Sequence, residues 1–105
     1  MTRGEIWLVN PDLTAGSGIR RTRPCVVVCP EEMHDHLRTV IVAPMTTGNR
    51  AAPFRIGVTH GGKKGLILLD QMRAVDKARM AKRLGAVSAK TLNSTLITLQ
   101  EVFAE

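Results

Sequence analysis

The chain is constrained most by a series of short β-branched or apolar runs, each closed within a few residues by proline, glycine or a polar loop. Strands are predicted at residues 5–10, 24–29, 39–43, 54–58, 65–69, 72–75 and 83–87. The run at 24–29 is almost entirely apolar, which is typical of a strand buried on both faces. Short strands at close spacing predict a mainly β fold, with the sheet curled into a small barrel.

Helical periodicity is confined mainly to the C-terminus. Ser88 is a candidate N-cap. The residues that follow at helical spacing are Leu92, Leu96, Leu99 and Phe103. This apolar stripe predicts a terminal helix that packs on the sheet or on a second copy of the chain. A short helix from the Asp76 N-cap to Met80 and a helical turn within 31–37 are also expected, with polar loops at 11–22, 45–52 and 60–65.

The chain length and the composition favour one soluble domain over residues 1–105. The chain has 105 residues and contains no apolar run near the ~20 residues that span a membrane. Its N-terminal segment has no secretion-type apolar region, so we expect a cytoplasmic protein. The net charge is +6, and thirteen of the fifteen Lys and Arg residues lie between Arg20 and Arg83. Such an excess of positive charge indicates either a polyanionic partner or a solubilising basic surface.

The two cysteines do not predict a cross-link or a metal site. Cys25 and Cys29 are four residues apart on one strand, so their Cα atoms should lie roughly 13 Å apart, too far for a disulfide. We expect two buried free thiols. His34 and His36 follow closely, but the paired ligand spacing of structural zinc is missing. No metal and no cofactor are therefore expected.

Two strand ends carry polar side chains that could act together. Arg23 stands at the start of the second strand, and Thr46 and Thr47 follow the third. In antiparallel neighbours these residues would meet at one end of the sheet, where a guanidinium beside hydroxyls suits a phosphate. Arg23 could instead pair with Asp70 or Glu5. The Thr46 hydroxyl could instead serve its own backbone.

Several segments together resemble the MazF/PemK toxins of type II toxin–antitoxin systems. They are residues 1–9, 13–16, 22–24, 43–47 and 69–71, with Arg73 and 76–77. The resemblance implies an SH3-like antiparallel β-barrel with a C-terminal helix, acting as a homodimer. It also implies metal-independent, sequence-specific cleavage of single-stranded RNA, giving 2′,3′-cyclic phosphate and 5′-hydroxyl ends, and inhibition by a cognate acidic antitoxin.

By the same resemblance, Arg23 and Thr46 fall on the family's catalytic positions. Many relatives carry an acidic residue or a histidine in the segment that here reads 16–19, and this chain has neither. PemK-like relatives also carry an arginine where Leu68 stands here. Asp70 is left as a possible base or as an acceptor that reads a nucleobase. The three histidines, including His60, are expected on the surface.

RNA binding would rest on polar and basic loop residues, since aromatic residues make up only 3% of the chain. The candidates for phosphate contacts are Arg20, Arg21, Lys63 and Lys64. Those for base recognition are Ser17, Thr47, Asn49, Asp70 and Gln71.

Two other functions compete with ribonuclease activity. The first is a non-catalytic module of the same fold that binds nucleic acid or protein. The second is a gyrase poison of the CcdB type. That type acts through a C-terminal Trp-Gly-Ile segment, and this chain ends differently, at 101–105.

Overall fold

A computed structural model describes residues 1–11, 21–48 and 50–105 of the chain. Its strands are β1 (Glu5–Val9), β2 (Arg23–Val27), β3 (Thr39–Thr46), β4 (Arg55–His60), β5 (Lys63–Leu68), β6 (Arg73–Asp76) and β7 (Met80–Ala86). The helices are α1 (Glu31–His34) and α2 (Ala89–Val102), with 3-10 turns at Leu69–Gln71 and Lys77–Arg79. The fold prediction of a curled antiparallel sheet with a C-terminal helix is confirmed. No helix in these ranges is long and apolar enough to cross a membrane.

The sheet is centred on β3, which has neighbours along both edges. Its order is β4-β5-β3-β2-β1-β7, and all pairs are antiparallel. One edge of β3 pairs with β2. The other edge pairs with β6 over 39–42 and with β5 over 45–46. The 3-10 turn Leu69–Gln71 lies where the chain passes from β5 to β6, so it interrupts the second edge of β3.

Strand alternation divides the core between the two faces of the sheet. One cluster is built from Val9, Cys25, Val27, Cys29, Val40, Val42, Val75 and Met80. The other contains Ile6, Val26, Val28, Ala43, Met45, Val58, Ile67 and Leu69. Residues 25–29 are all buried, as predicted, although β2 ends at Val27 and not at residue 29. Both cysteines are free thiols, as expected.

Several boundary predictions were wrong, and β7, for example, begins at Met80 and not at residue 83. Residues 45–46 were assigned to a loop, but Met45 and Thr46 extend β3 because they pair with Ile67 and Leu66 of β5. The 60–65 loop is also shorter than predicted, since His60 pairs with Lys63. The connection is two glycines, Gly61 at φ 59° and Gly62 at φ 77°. Two positive φ values in succession are typical of the tight hairpin turn.

Helix α2 begins as predicted, with the Ser88 hydroxyl accepting a hydrogen bond from the Thr91 N–H. Leu92 approaches Gly4, and Leu99 packs on the second core cluster. Phe103 was expected to continue this stripe, but it lies beyond the last helical turn and is 70% exposed. The Asp76 cap is also confirmed, since its carboxylate accepts from the Ala78 N–H.

Candidate active site

Arg23 and Thr46 come together at one end of the sheet. In the β2–β3 pair, Cys25 is opposite Pro44 and Val26 is opposite Ala43. Continuing this register by two residues places Arg23, the first residue of β2, level with Thr46, the last of β3. Arg23 alternates with Cys25 and Thr46 with Val42, so both residues belong to the face of the first core cluster. The register therefore agrees with the predicted juxtaposition.

Two further arginines lie on this face. Burial raises the pKa of the Cys25 thiol to about 12, while the charges of Arg23, Arg79 and Arg73 act in the opposite direction. The strand pairings agree, because Arg73 is opposite Val42 and Arg23 is opposite Val9, and both valines belong to the first core cluster. Arg79 also donates from Nε to the Asn10 carbonyl at 2.9 Å. We call Arg23, Arg73 and Arg79 the arginine cluster.

Arg73 and Arg79 are not among the site residues that the sequence predicts. Arg73 pairs with Val42 across the β3–β6 ladder, a register that the sequence does not reveal. The alternation Arg73-Ala74-Val75 was the available signal, because Val75 is buried on the same face. Arg73 and Arg79 thus add positive charge to the face that holds Arg23 and Thr46, and positive charge on this face favours a phosphate ligand.

The suggested carboxylate partners of Arg23 are occupied elsewhere. Glu5 pairs with Arg83, at 2.7 Å from Nε to Oε2. Asp70 pairs with Arg55, at 3.2 Å from Nε to Oδ1 and 3.1 Å from Nη2 to Oδ2. Within the described ranges, neither acid forms the salt bridge to Arg23 that the sequence left open.

The Thr46 hydroxyl accepts a hydrogen bond from the Gly48 N–H at 3.4 Å. The Thr46 hydroxyl therefore does bond to the backbone of its own loop, which is the alternative that the sequence left open. The same contact leaves the hydroxyl proton of Thr46 available to another acceptor. Thr47, the next residue, is exposed.

A pocket of about 150 Å³ opens next to Thr46. Thr47, His60 and Lys63 contribute to its lining. Lys63 was a predicted phosphate contact. His60 was expected on the surface, but it is only partly exposed because the tight turn after β4 brings it against the ends of β3 and β5.

The surface assignment was wrong for His34, which is 1% exposed. Its Nε2 lies 2.7 Å from the Met1 carbonyl and its Nδ1 3.2 Å from Cys29 Sγ. A carbonyl can only accept, so Nε2 carries a proton and holds the N-terminus to α1. The His34–Cys29 pair is part of the core and lies apart from the arginine cluster. In the described segments, no three His, Cys, Asp or Glu side chains are grouped to hold a metal ion.

Further predicted RNA contacts lie either on exposed segments or outside the described residues. Arg21 is exposed just before β2, and Asp70 and Gln71 are exposed on the 3-10 turn Leu69–Gln71. The hydrogen bonds from Arg55 lower the pKa of the Asp70 carboxyl, which weakens it as a base. Ser17, Arg20 and Asn49 lie outside the described residues.

Comparison with known proteins agrees with this geometry. The family model for PemK-like, MazF-like toxins of type II toxin–antitoxin systems matches residues 2–103. The chain belongs to this toxin family. A curated relative, endoribonuclease PemK of Escherichia coli, is 38% identical over 97% of this chain and 81% of its own. Endoribonuclease toxin ChpB of Escherichia coli K12 is 31% identical over 95% of this chain and 91% of its own.

Solved structures support the fold of this toxin. A crystal structure of MazF from Deinococcus radiodurans has a TM-score of 0.80, with 97% of this chain and 94% of that chain covered, at 23% identity. A mycobacterial endoribonuclease in complex with its cognate antitoxin has a TM-score of 0.78 over 96% of this chain and 92% of that chain, at 22% identity. The family resemblance drawn from the sequence motifs is confirmed.

Proposed function

We propose that this toxin is a sequence-specific endoribonuclease that cleaves single-stranded mRNA through the substrate's own 2′-hydroxyl. The observation that carries the proposal is the alignment of Arg23 with Thr46 on the face of the arginine cluster. The curated relatives are named endoribonucleases, which supports the same reaction class.

In the proposed reaction, the 2′-oxygen attacks the neighbouring phosphorus as its proton passes to a base. The bond from phosphorus to the 5′-oxygen breaks, and that oxygen takes up a proton. The products are a 2′,3′-cyclic phosphate and a 5′-hydroxyl. Because the RNA supplies the nucleophile, the protein's tasks are to stabilise charge and transfer protons.

Arg23 and Thr46 suit the charge-stabilising part of this reaction. The guanidinium of Arg23 can bind two phosphate oxygens at once and can donate a proton to the departing oxygen. The Thr46 hydroxyl can donate to a third oxygen while its own oxygen accepts from Gly48. Arg73 and Arg79 would hold the phosphates on either side of the scissile bond.

The proposal extends to partners and location. A mycobacterial neighbour was solved in complex with its cognate antitoxin, and Deinococcus radiodurans MazF was solved with MazE. We infer that this toxin acts as a homodimer in the cytoplasm, where mRNA is present. Its partner would be an acidic antitoxin that competes with RNA for the arginine cluster, because both ligands are polyanions.

Incubation of the purified toxin with mixed-sequence RNA in EDTA tests the proposal. The expected result is a discrete set of fragments that end in cyclic phosphate. Intact RNA at high protein excess would favour a non-catalytic binding module instead. Activity that disappears with EDTA and returns with Mg²⁺ would contradict the mechanism.

A further inference from the structure

Arg55, the first residue of β4, connects two segments that are distant in sequence. Its guanidinium donates to both carboxylate oxygens of Asp70, and Nη1 donates to the Arg50 carbonyl at 2.9 Å. The Phe54 ring centroid lies 5.9 Å from the guanidinium carbon. The Arg55 side chain is only 17% exposed. A two-oxygen ion pair with a third bond to the backbone fixes the guanidinium plane.

The segment that Arg55 holds is the loop that follows Thr46. Its described residues, 47–48 and 50–54, are called the β3–β4 loop. Its first part touches Thr46 through the Gly48 N–H, which donates to the Thr46 hydroxyl. Its middle is held at the Arg50 carbonyl by Arg55. Arg55 thus anchors Arg50 to Asp70, and Arg50 is two residues along the chain from Gly48, the donor to the Thr46 hydroxyl.

We propose that Arg55 is a positioning residue for RNA cleavage, holding the β3–β4 loop so that the Thr46 hydroxyl points at the scissile phosphate. The inference rests on the proposed ribonuclease function. Arg55 acts through Thr46 and does not contact the reacting atoms. Loss of this restraint should therefore slow the chemical step more than it weakens RNA binding.

Arg55→Lys is the informative variant, because it keeps the charge and removes the planar fork. One ammonium group cannot reproduce the two bonds to Asp70 together with the bond to Arg50. We expect kcat on a fluorogenic RNA to fall about 3- to 10-fold, up to the loss expected when the Thr46 hydroxyl itself is removed, with KM changed less than ~2-fold. Arg55→Ala should behave similarly.

Arg83→Ala is the matched control. Arg83 also forms a close ion pair, with Glu5, but on the β1–β7 side of the sheet. Its removal should leave kcat near the wild-type value. A kcat for Arg55→Lys within twofold of wild type, or an equal loss in Arg83→Ala, would overturn the proposal.

Backbone dynamics provide a second measurement that does not depend on cleavage. NMR order parameters of Gly48 and Arg50 should fall from about 0.85 toward 0.6 in Arg55→Lys. Unchanged order parameters would overturn the proposal even if kcat fell. A wild-type protein that leaves RNA intact would refute the ribonuclease function, whereas the order parameters would still report whether Arg55 restrains the loop.

Exchange of the two charges separates the loop restraint from the ion pair itself. The double variant Arg55→Asp, Asp70→Arg keeps opposite charges but has no donor at position 55 for the Arg50 carbonyl. We expect kcat to stay low and the Gly48 order parameter to stay reduced. Recovery of wild-type kcat would overturn the proposal, because the ion pair alone would then suffice.

Discussion

A Cβ atom added at Gly65 would lie 2.6 Å from the Thr46 carbonyl oxygen. Gly65 is the third residue of β5, and its neighbour Leu66 pairs with Thr46. The close approach leaves no room for a side chain, and the atom it would meet belongs to the backbone, which cannot rotate away. The absence of a side chain at position 65 therefore helps to define where Thr46 stands.

Gly65→Ala should displace the end of β3. We predict a loss of about 1–3 kcal/mol in the free energy of unfolding, typical of overpacking, and a loss of RNA cleavage of about 3- to 10-fold, up to the loss expected when the Thr46 hydroxyl is removed. Gly57→Ala is the control. Gly57 lies in β4 and, like Thr46, pairs with Leu66, but a Cβ atom added at Gly57 would meet nothing within 4 Å. Denaturant unfolding and cleavage assays measure both effects. Equal behaviour of the two variants would show that the contact with Thr46 has no consequence.

Thr46→Val removes one hydroxyl and keeps the shape of the side chain. We predict a loss of cleavage of about 3- to 10-fold, the value of one hydrogen bond. Thr47→Val should cost less, because Thr47 is exposed and lies one residue beyond β3. Single-turnover cleavage rates compare the two. A larger loss in Thr47→Val would make Thr47 the residue that contacts the phosphate.

Arg73→Ala tests whether the arginine cluster contacts the RNA backbone. Loss of one phosphate contact should reduce the slope of log K against log salt by about 0.7 for a single strand. The measurement is fluorescence anisotropy with an uncleavable deoxy oligonucleotide. Lys90→Ala, which removes a positive charge from α2, should leave the slope unchanged. The same slope in both variants would place the RNA away from Arg73.

Local chemistry in the sequence determined much of the fold. Alternation and β-branching identified the strands, and side-chain hydroxyl and carboxylate groups marked the Ser88 and Asp76 caps. The end of β3 was missed because Met45 and Thr46 look like the start of a polar loop. Their strand conformation comes from β5, twenty residues later in the chain.

The site was predicted only in part, for the same reason. Arg23 and Thr46 could be found because each stands at the end of a recognisable strand. The contacts of Asp70 with Arg55 and of His34 with Met1 depend on how distant segments pack. Arg73 and Arg79 share a face with Arg23 only because β6 pairs with β3 and the turn after β6 contacts Asn10 at the end of β1. Residue spacing along the chain carries no signal for such contacts.

Low pH should reduce the free energy of unfolding through protonation of Glu5. Burial raises the pKa of this carboxyl, but hydrogen bonds from the Thr2 N–H, the Trp7 indole and Arg83 outweigh it and lower the pKa from 4.5 to about 2. The native state therefore favours the charged form. Its contribution to stability is complete above about pH 4.5 and is lost as the pH falls through 2.

Glu5→Gln should remove this part of the pH dependence. At pH 7 we predict a loss of about 1–2 kcal/mol, since charged hydrogen bonds are replaced by weaker ones and Arg83 is half exposed. Urea unfolding between pH 2 and pH 7 makes the comparison. If wild type and Glu5→Gln were to lose stability in parallel over this range, Glu5 would not be the titrating group.

In the proposed reaction, Arg23 stabilises the charge that develops on the scissile phosphate when the 2′-oxygen of the neighbouring ribose attacks it. The most direct test is the cleavage rate of one defined RNA by wild type and Arg23→Ala, with the fold of the variant checked by thermal unfolding. We predict a loss of at least ~10²-fold with little change in the unfolding midpoint, and wild-type products that end in cyclic phosphate. A rate within a few-fold of wild type would remove Arg23 from the mechanism and contradict the claim.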